Sequence, residues 1–490
     1  MIRKISAILL LILISPVLFS QSSPDFEKYF INKTMRIDYY HTGDAKEEWI
    51  SIDRIYRQGI WAGSTTNLMD TFNNGQYYVK VFDLATNLMI FSRGYNTYFA
   101  EYKTTDDALK GIKRTYHETV LIPYPKRKIQ LTIELRGKDN ILRQIFTTVI
   151  DPEDITIVDE DLSKDVKVYK FLYNGDPHKK VDLAFIAEGY TATQEEKFKR
   201  DMERLIEIFF SQEPYKTYRN RFNIYGVFRA SQESGCDEPT HGVYKNTAIG
   251  SSFNSLGSYR YLLTENNKAL RDIAAHVPYD ALLIPVNHTR YGGGGIYNFY
   301  CIFTVDNKWT DYLMLHEFGH SFAGLADEYY SASVSYSEFY PEGIEPVEPN
   351  ITALLNPENI KWKELLTPGI QIPTPWNKAE FDRMESAYQK VRARLHARIA
   401  ELYRKKAPGK EIKRAEKELE ELSLKHDREV QEFMKKSRYR GKVGAFEGAG
   451  YVSRGMYRPM VDCIMFSKGK KPYCKVCENA ILKVIKYYTE

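Results

Sequence analysis

Through roughly the first third of the chain, apolar and polar positions alternate in short, aromatic-rich runs, as at residues 35–40, 76–82, 119–122 and 129–135. A period of two is what a strand with one buried face requires. Between these runs stand Asn73-Asn74-Gly75 and Arg136-Gly137-Lys138-Asp139-Asn140, whose residue types favour tight turns. The pattern predicts an N-terminal β-sandwich over residues 21–155. An acidic connector begins at Asp151-Pro152-Glu153-Asp154 and ends near residue 164. Its carboxylates lack the spacing of a calcium loop, so a solvated linker is expected.

Further on the rhythm changes. A continuous apolar run at 181–188, a helical pattern at 194–212 and a second apolar run at 222–228 give a β-α-β order, with another strand at 281–286. Four glycines, Gly292 to Gly295, precede the strand-like stretch 296–304. A phosphate cradle would lead into a helix, so these glycines belong either to a cleft-edge strand able to pair with an extended substrate or to a hairpin turn. The fold class expected is α+β and multidomain: a β-sandwich, then an α/β domain over residues 156–490.

Within that second domain lies an interruption with a different period. Phe381, Met384, Tyr388, Val391, Leu395 and Leu402 recur at helical spacing, as do Ile412, Ala415, Leu419, Leu422, Val430 and Phe433. Pro408-Gly409 separates the two sets, so residues 377–442 are expected to form an antiparallel helical hairpin. His426 falls on the apolar stripe as a seam residue, and His396 is expected to face solvent. The hairpin is either a partner-binding arm or a solvated decoration, the second being favoured.

Chemistry concentrates in His316-Glu317-Phe318-Gly319-His320. Histidines four apart share one helical face, so both imidazoles can reach one cation while Glu317 is left to act on water. A catalytic zinc takes three protein ligands and keeps one open position. Were the helix to continue, Asp327 would lie about 10 Å further along the axis. Gly324 can end the helix with a positive φ and let the chain return. Asp327 is then the favoured third ligand, with Glu328 as the alternative. Downstream, Met465 in Cys463-Ile464-Met465 suits a methionine turn beneath the metal, as in zinc peptidases whose third ligand follows a glycine turn. Tyr457 is a candidate donor to the oxyanion, and His241 a further pocket candidate.

Residues 316–330, with Tyr457-Arg458-Pro459 and Cys463-Ile464-Met465, resemble the IgA peptidase family of zincin metallopeptidases. The likeness extends upstream through residues 181–191 and 234–239 and covers most of the chain; the charged 377–442 insert departs from it. The resemblance implies a secreted zinc endopeptidase with an N-terminal β domain and a metzincin-like catalytic domain. It implies His316 and His320 as ligands of one catalytic Zn2+, an acidic third ligand, and Glu317 as general base for a zinc-activated water. It does not imply the protein or peptide substrate. The competing class is a non-catalytic cell-envelope or host-ligand binding protein whose zinc site is structural or relic. An intact Glu317 argues against that.

Composition narrows the rest. At 490 residues and 43% apolar content the chain can bury more than one core. The net charge of +5 is unevenly placed, for residues 377–442 carry 20 basic and 12 acidic side chains and leave the remainder at −3. A nucleic-acid partner is therefore unsupported. Residues 1–20 show Arg3 and Lys4, an apolar run at 7–14 and then Ser15-Pro16, the layout of a secretory signal peptide. No other run approaches a membrane span, so an exported chain without one is expected, bound for the periplasm, the cell surface or the medium. Of five cysteines, Cys474 and Cys477 have metal-knuckle spacing. A structural zinc needs four ligands and no companion pair is evident, so a disulfide from Cys463 to one of them is expected. Cys236 and Cys301 are expected to be buried singles or a pair.

Overall fold

The computed structural model describes residues 24–330 and 340–490. The segment 1–20, read as a signal peptide, lies outside the described residues. The architecture is mixed α+β. No helix among the described residues is long and apolar enough to cross a membrane.

Two four-stranded sheets form the N-terminal part. In the first, Phe30–Gly43 sits between Arg114–Pro125 and Glu48–Gln58, and Val158–Asp159 pairs in parallel beyond the latter. Part of the expected linker is thus a short edge strand. The second sheet runs Leu88–Tyr95, Tyr77–Asp83, Ile129–Arg136, Leu142–Ile150. Alternation points Met35, Ile37 and Tyr39 of one sheet and Val79, Val81 and Ile133 of the other into one shared apolar core. At the Asn73–Gly75 turn Gly75 has φ +99°, and a Cβ there would stand 2.6 Å from Tyr95 N. The other face of Phe30–Gly43 is covered as well. Arg36 and Asp38 are buried, and Arg36 Nη1 reaches Asp272 Oδ1 at 2.8 Å, across to the second part of the chain.

That second part is built on a six-stranded sheet in the order Gly293–Ile296, Tyr300–Thr304, Ala281–Val286, Val181–Ile186, Phe222–Arg229, Val166–Leu172. The inner strands are parallel and the two edge strands antiparallel. Strands covered on both faces read as continuous apolar runs, which is why Val181–Ile186 is buried at every position. Helix Glu195–Phe210 packs on one face through Phe198, Met202, Leu205 and Phe209. Helix Thr310–Ala323, which carries the histidine motif, lies against the glycine edge strand, and the C-terminal helix Lys475–Thr489 packs against the motif helix. Helices Lys378–Arg404 and Gly409–Lys435 pair as a hairpin. Within it His426 Nε2 meets Glu385 Oε1 at 2.5 Å, and its ring stacks on Tyr388 at 3.7 Å.

Candidate metal centre

Thr310–Ala323 is apolar on almost every side, with Leu313, Met314, Phe318 and Phe322 in the core, so the helix sits between the sheet and the C-terminal helix. It stops where glycine allows. Gly324 takes φ +59°, its N–H bonds His320 O at 3.0 Å and the Leu325 N–H bonds Gly319 O at 3.2 Å, which closes the helix end and turns the chain back. The reversal brings Asp327 under the two imidazoles. His316 Nε2 and His320 Nε2 stand 3.2 Å apart, and Asp327 Oδ1 lies 3.1 Å from the first and 3.2 Å from the second.

These three atoms form a nearly equilateral triangle. Ligands held at about 2.05 Å by one tetrahedral cation would stand about 3.3 Å apart. Protons make the fit more specific. His316 Nδ1 is 3.0 Å from Ile464 O and His320 Nδ1 is 2.5 Å from Leu325 O. A carbonyl can only accept, so both Nδ1 atoms donate and the neutral rings turn lone pairs toward each other at Nε2. Two facing lone pairs and a carboxylate oxygen repel unless a cation or protons lie among them. Asp327 Oδ1 is buried with no hydrogen-bond donor, while Oδ2 accepts from the Tyr451 hydroxyl. The residues present fit a divalent cation.

Glu317 sits one step round the helix. Its carboxylate makes no hydrogen bond among the described residues and lines the cleft, and burial raises its pKa despite the neighbouring imidazoles. The edge strand Gly293–Ile296 presses against this stretch. A Cβ on Gly295 would lie 2.2 Å from Glu317 O, and one on Gly293 would lie 3.2 Å from Glu317 Cγ. The glycine run is therefore a strand packed against the motif helix, and both glycines line the cleft.

Met465 is fully buried beneath the helix, its Sδ 3.1 Å from where a Cβ on Gly319 would be, and its carbonyl accepts from Glu328 N at 2.9 Å. Glu328 itself points away from the histidines. Its Oε1 lies 3.2 Å from Cys477 Sγ, on the far side of the chain from the triangle. Tyr457 is paired through its backbone with Thr352 and is not among the described residues lining the cleft. Tyr291, Tyr329 and Tyr451 are among the phenols that do line it, and Arg260 donates to the Tyr329 hydroxyl at 3.1 Å. No motif in the sequence marked Arg260 or Tyr451, because each reaches the centre from a distant loop.

His241 belongs to a different cluster. Glu238 lies 2.9 Å from His241 Nδ1, 3.2 Å from His288 Nε2 and 2.9 Å from Arg290 Nη1. The His241 ring stacks on Tyr403 of the hairpin at 3.7 Å, which ties the arm to the domain. His396, expected in solvent, is instead half-buried. It lines the cleft beside Tyr259 with ring centroids 4.7 Å apart, and burial lowers its pKa to about 4. The reason is the arm's position: helix Lys378–Arg404 leans over the site and supplies Glu385, Gln389 and Arg392 to the cleft wall. The N-terminal part contributes Glu101 of helix Tyr98–Tyr102, Arg136 at a strand end and Asn140 of the following turn to the same cleft of ≈ 2500 Å³.

All five cysteines are free and buried. The disulfide expected from Cys463 does not form, for Cys463 Sγ and Cys477 Sγ are 3.9 Å apart, against about 2.05 Å in a bond.

A family model described as IgA Peptidase M64 matches residues 170–485, and one described as Peptidase M64 N-terminus matches residues 25–147. No curated protein matches the chain.

Proposed function

The chain belongs to the IgA peptidase M64 family, a family of metallopeptidases acting on protein or peptide substrates, and from that premise we propose that it is an exported zinc endopeptidase. The observation that carries this reading is the triangle of His316 Nε2, His320 Nε2 and Asp327 Oδ1 with an unpartnered Glu317 beside it. A structural zinc site closes its fourth position with a protein ligand, whereas these three atoms face an open cleft. We read the two N-terminal sheets as a β-sandwich and the six-stranded sheet with its motif helix as a zincin-type catalytic domain.

Zinc held by His316, His320 and Asp327 would supply Lewis acidity to a water and to the scissile carbonyl. Glu317 takes the proton of the attacking water and delivers it to the leaving nitrogen. The Ile464 and Leu325 carbonyls hold the two imidazoles in the tautomer that leaves Nε2 free. Arg260, with Tyr329, is the donor pair placed on the cleft wall to steady the carbonyl oxygen. A cleft walled by sheets, catalytic domain and arm is open to internal segments of a chain, which favours endopeptidase action. Export by the segment 1–20 is part of the same proposal.

The test is digestion of a diverse peptide mixture by the mature protein and by Glu317→Ala, with new termini mapped by mass spectrometry. Internal cuts absent from the variant support the reading; a zinc-loaded wild type that makes none overturns it.

A further inference from the structure

Three of the five cysteines converge with one acid in the core. Cys463, Cys474, Cys477 and Glu328 are each at most 2% exposed, and their ligand atoms all lie within 4.8 Å of one another. Cys463 Sγ to Cys477 Sγ is 3.9 Å, and Glu328 Oε1 lies 3.2 Å from Cys477 Sγ and 3.6 Å from Cys474 Sγ. Thiolates at about 2.3 Å from one tetrahedral zinc stand about 3.8 Å apart. The pair that the Cys474–Cys477 knuckle lacked in the sequence is thus supplied from two other segments, as Cys463 and Glu328.

Backbone N–H groups point at two of the sulfurs, as they would at thiolates. Cys463 Sγ accepts from Cys474 N at 3.1 Å and Met465 N at 3.4 Å, and Cys474 Sγ accepts from Cys477 N at 3.4 Å. Cys474 is also the N-cap of helix Lys475–Thr489, where the helix dipole favours a negative sulfur. Glu328 Oε2 is buried without a partner. A carboxylate removed from water and left facing sulfur is unfavourable unless a cation or a proton answers it. Arg458 gives an independent sign. Its guanidinium is fully buried, packs 3.8 Å over Phe466, and bonds only the backbone carbonyls of Glu447, Gly448 and Val461. Among the described residues no carboxylate lies within salt-bridge distance of it, and Tyr330, Glu328, Asp462 and Cys463 are the neighbours that act on its charge. Three thiolates and a carboxylate around a divalent ion carry a net charge of −2, which a buried guanidinium offsets.

We propose that Cys463, Cys474, Cys477 and Glu328 bind a second, structural zinc ion, separate from the catalytic one. Binding releases the three thiol protons and forms three Zn–S bonds and one Zn–O bond, with no redox change. The ion joins the three segments that shape the active centre. Glu328 directly follows Asp327, Cys463 precedes the Ile464 carbonyl that holds His316, and Cys474 opens the helix that backs the motif helix. It takes the place of the disulfide that the cysteine spacing alone would suggest.

Zinc per chain, measured by plasma mass spectrometry on protein purified without chelator, is expected to be two. The His316→Ala, His320→Ala double variant is expected to keep one. In that variant a mercurial that titrates thiols should release the remaining zinc in step with modification of the buried cysteines. Cobalt substitution of the same variant should give the intense near-ultraviolet band of thiolate-to-cobalt charge transfer. Alkylation of the unfolded, unreduced wild type should label all five cysteines. A double variant that binds no zinc and shows no cobalt–thiolate band overturns the proposal, as does a mass deficit of one hydrogen pair from a disulfide within the cluster. These readouts do not depend on Cys→Ser variants folding, nor on any peptidase activity.

Discussion

Asp327 and Glu328 are adjacent in the chain and face opposite ways: Asp327 Oδ1 is 3.1 Å from His316 Nε2, whereas Glu328 Oε1 is 3.2 Å from Cys477 Sγ. Two neighbouring carboxylates that compete for one role in the sequence thus serve two clusters in the fold. The backbone between them is pinned by Glu328 N to Met465 O at 2.9 Å and by Gly450 N to Asp327 O at 2.9 Å.

Glu317→Gln keeps the shape of the side chain and removes its basicity. Peptide turnover is expected to fall by about 10²–10⁴-fold, with zinc content unchanged by plasma mass spectrometry. A variant that retains turnover within a few-fold would remove Glu317 from the role of base.

Asp327→Ala removes one corner of the triangle, and Tyr451→Phe removes the hydroxyl that holds its other oxygen. Chelator competition should show loss of the catalytic zinc in Asp327→Ala. The Tyr451→Phe form should bind about 10–100-fold more weakly than wild type, the usual effect of losing a ligand's own hydrogen bond.

Gly295→Ala puts a methyl group 2.2 Å from the Glu317 carbonyl, a contact that neither the strand nor the helix can relieve without moving. A loss of about 1–3 kcal/mol in stability is expected, in the manner of overpacked cores. Denaturant unfolding measures it, and turnover should drop with it because the displaced residue is Glu317.

Asp182 and Asp280 share a buried site in which Asp182 N bonds Asp280 Oδ2 at 2.9 Å. Burial, then the charge of Asp280, raises the Asp182 carboxyl to about 9. A raised acid is protonated in the folded state and ionised in the unfolded one, so its contribution is fully present below about pH 4 and is lost as pH rises towards 9. Thermal unfolding followed from pH 5 to pH 8.5 should show falling stability across that window. Asp182→Asn should flatten the slope.

The hairpin wall gives a prediction about length of substrate. Gln389 and Arg392 line the cleft well away from the metal-binding triangle in sequence, on an arm tied down by the stacking of Tyr403 on His241. Gln389→Ala combined with Arg392→Ala should raise KM for long peptides several-fold and leave kcat unchanged, with short peptides unaffected. Equal loss on both lengths would mean the arm does not touch substrate.

Local chemistry was legible without coordinates. A period of two marked the N-terminal strands because each has one face on the shared core, and a period near 3.6 marked the arm because each of its helices has an apolar stripe. The spacing of His316 and His320 defined a helical face, and Gly324 announced the turn because a left-handed residue is rarely anything but glycine. These are properties of neighbours along the chain.

What the tertiary structure decided involves groups that the sequence keeps far apart. Which of Asp327 and Glu328 meets the imidazoles depends on the exit angle after Gly324 and on the Met465 carbonyl 137 residues away. His396 lines the cleft, against expectation, because the arm leans over the site, and a solvent-facing stripe on a helix says nothing of what other domain it faces. Tyr457 lies off the cleft while Arg260 and Tyr451 reach it. The three cysteines meet Glu328 as well as one another, and a fourth ligand contributed by a distant loop leaves no spacing to read.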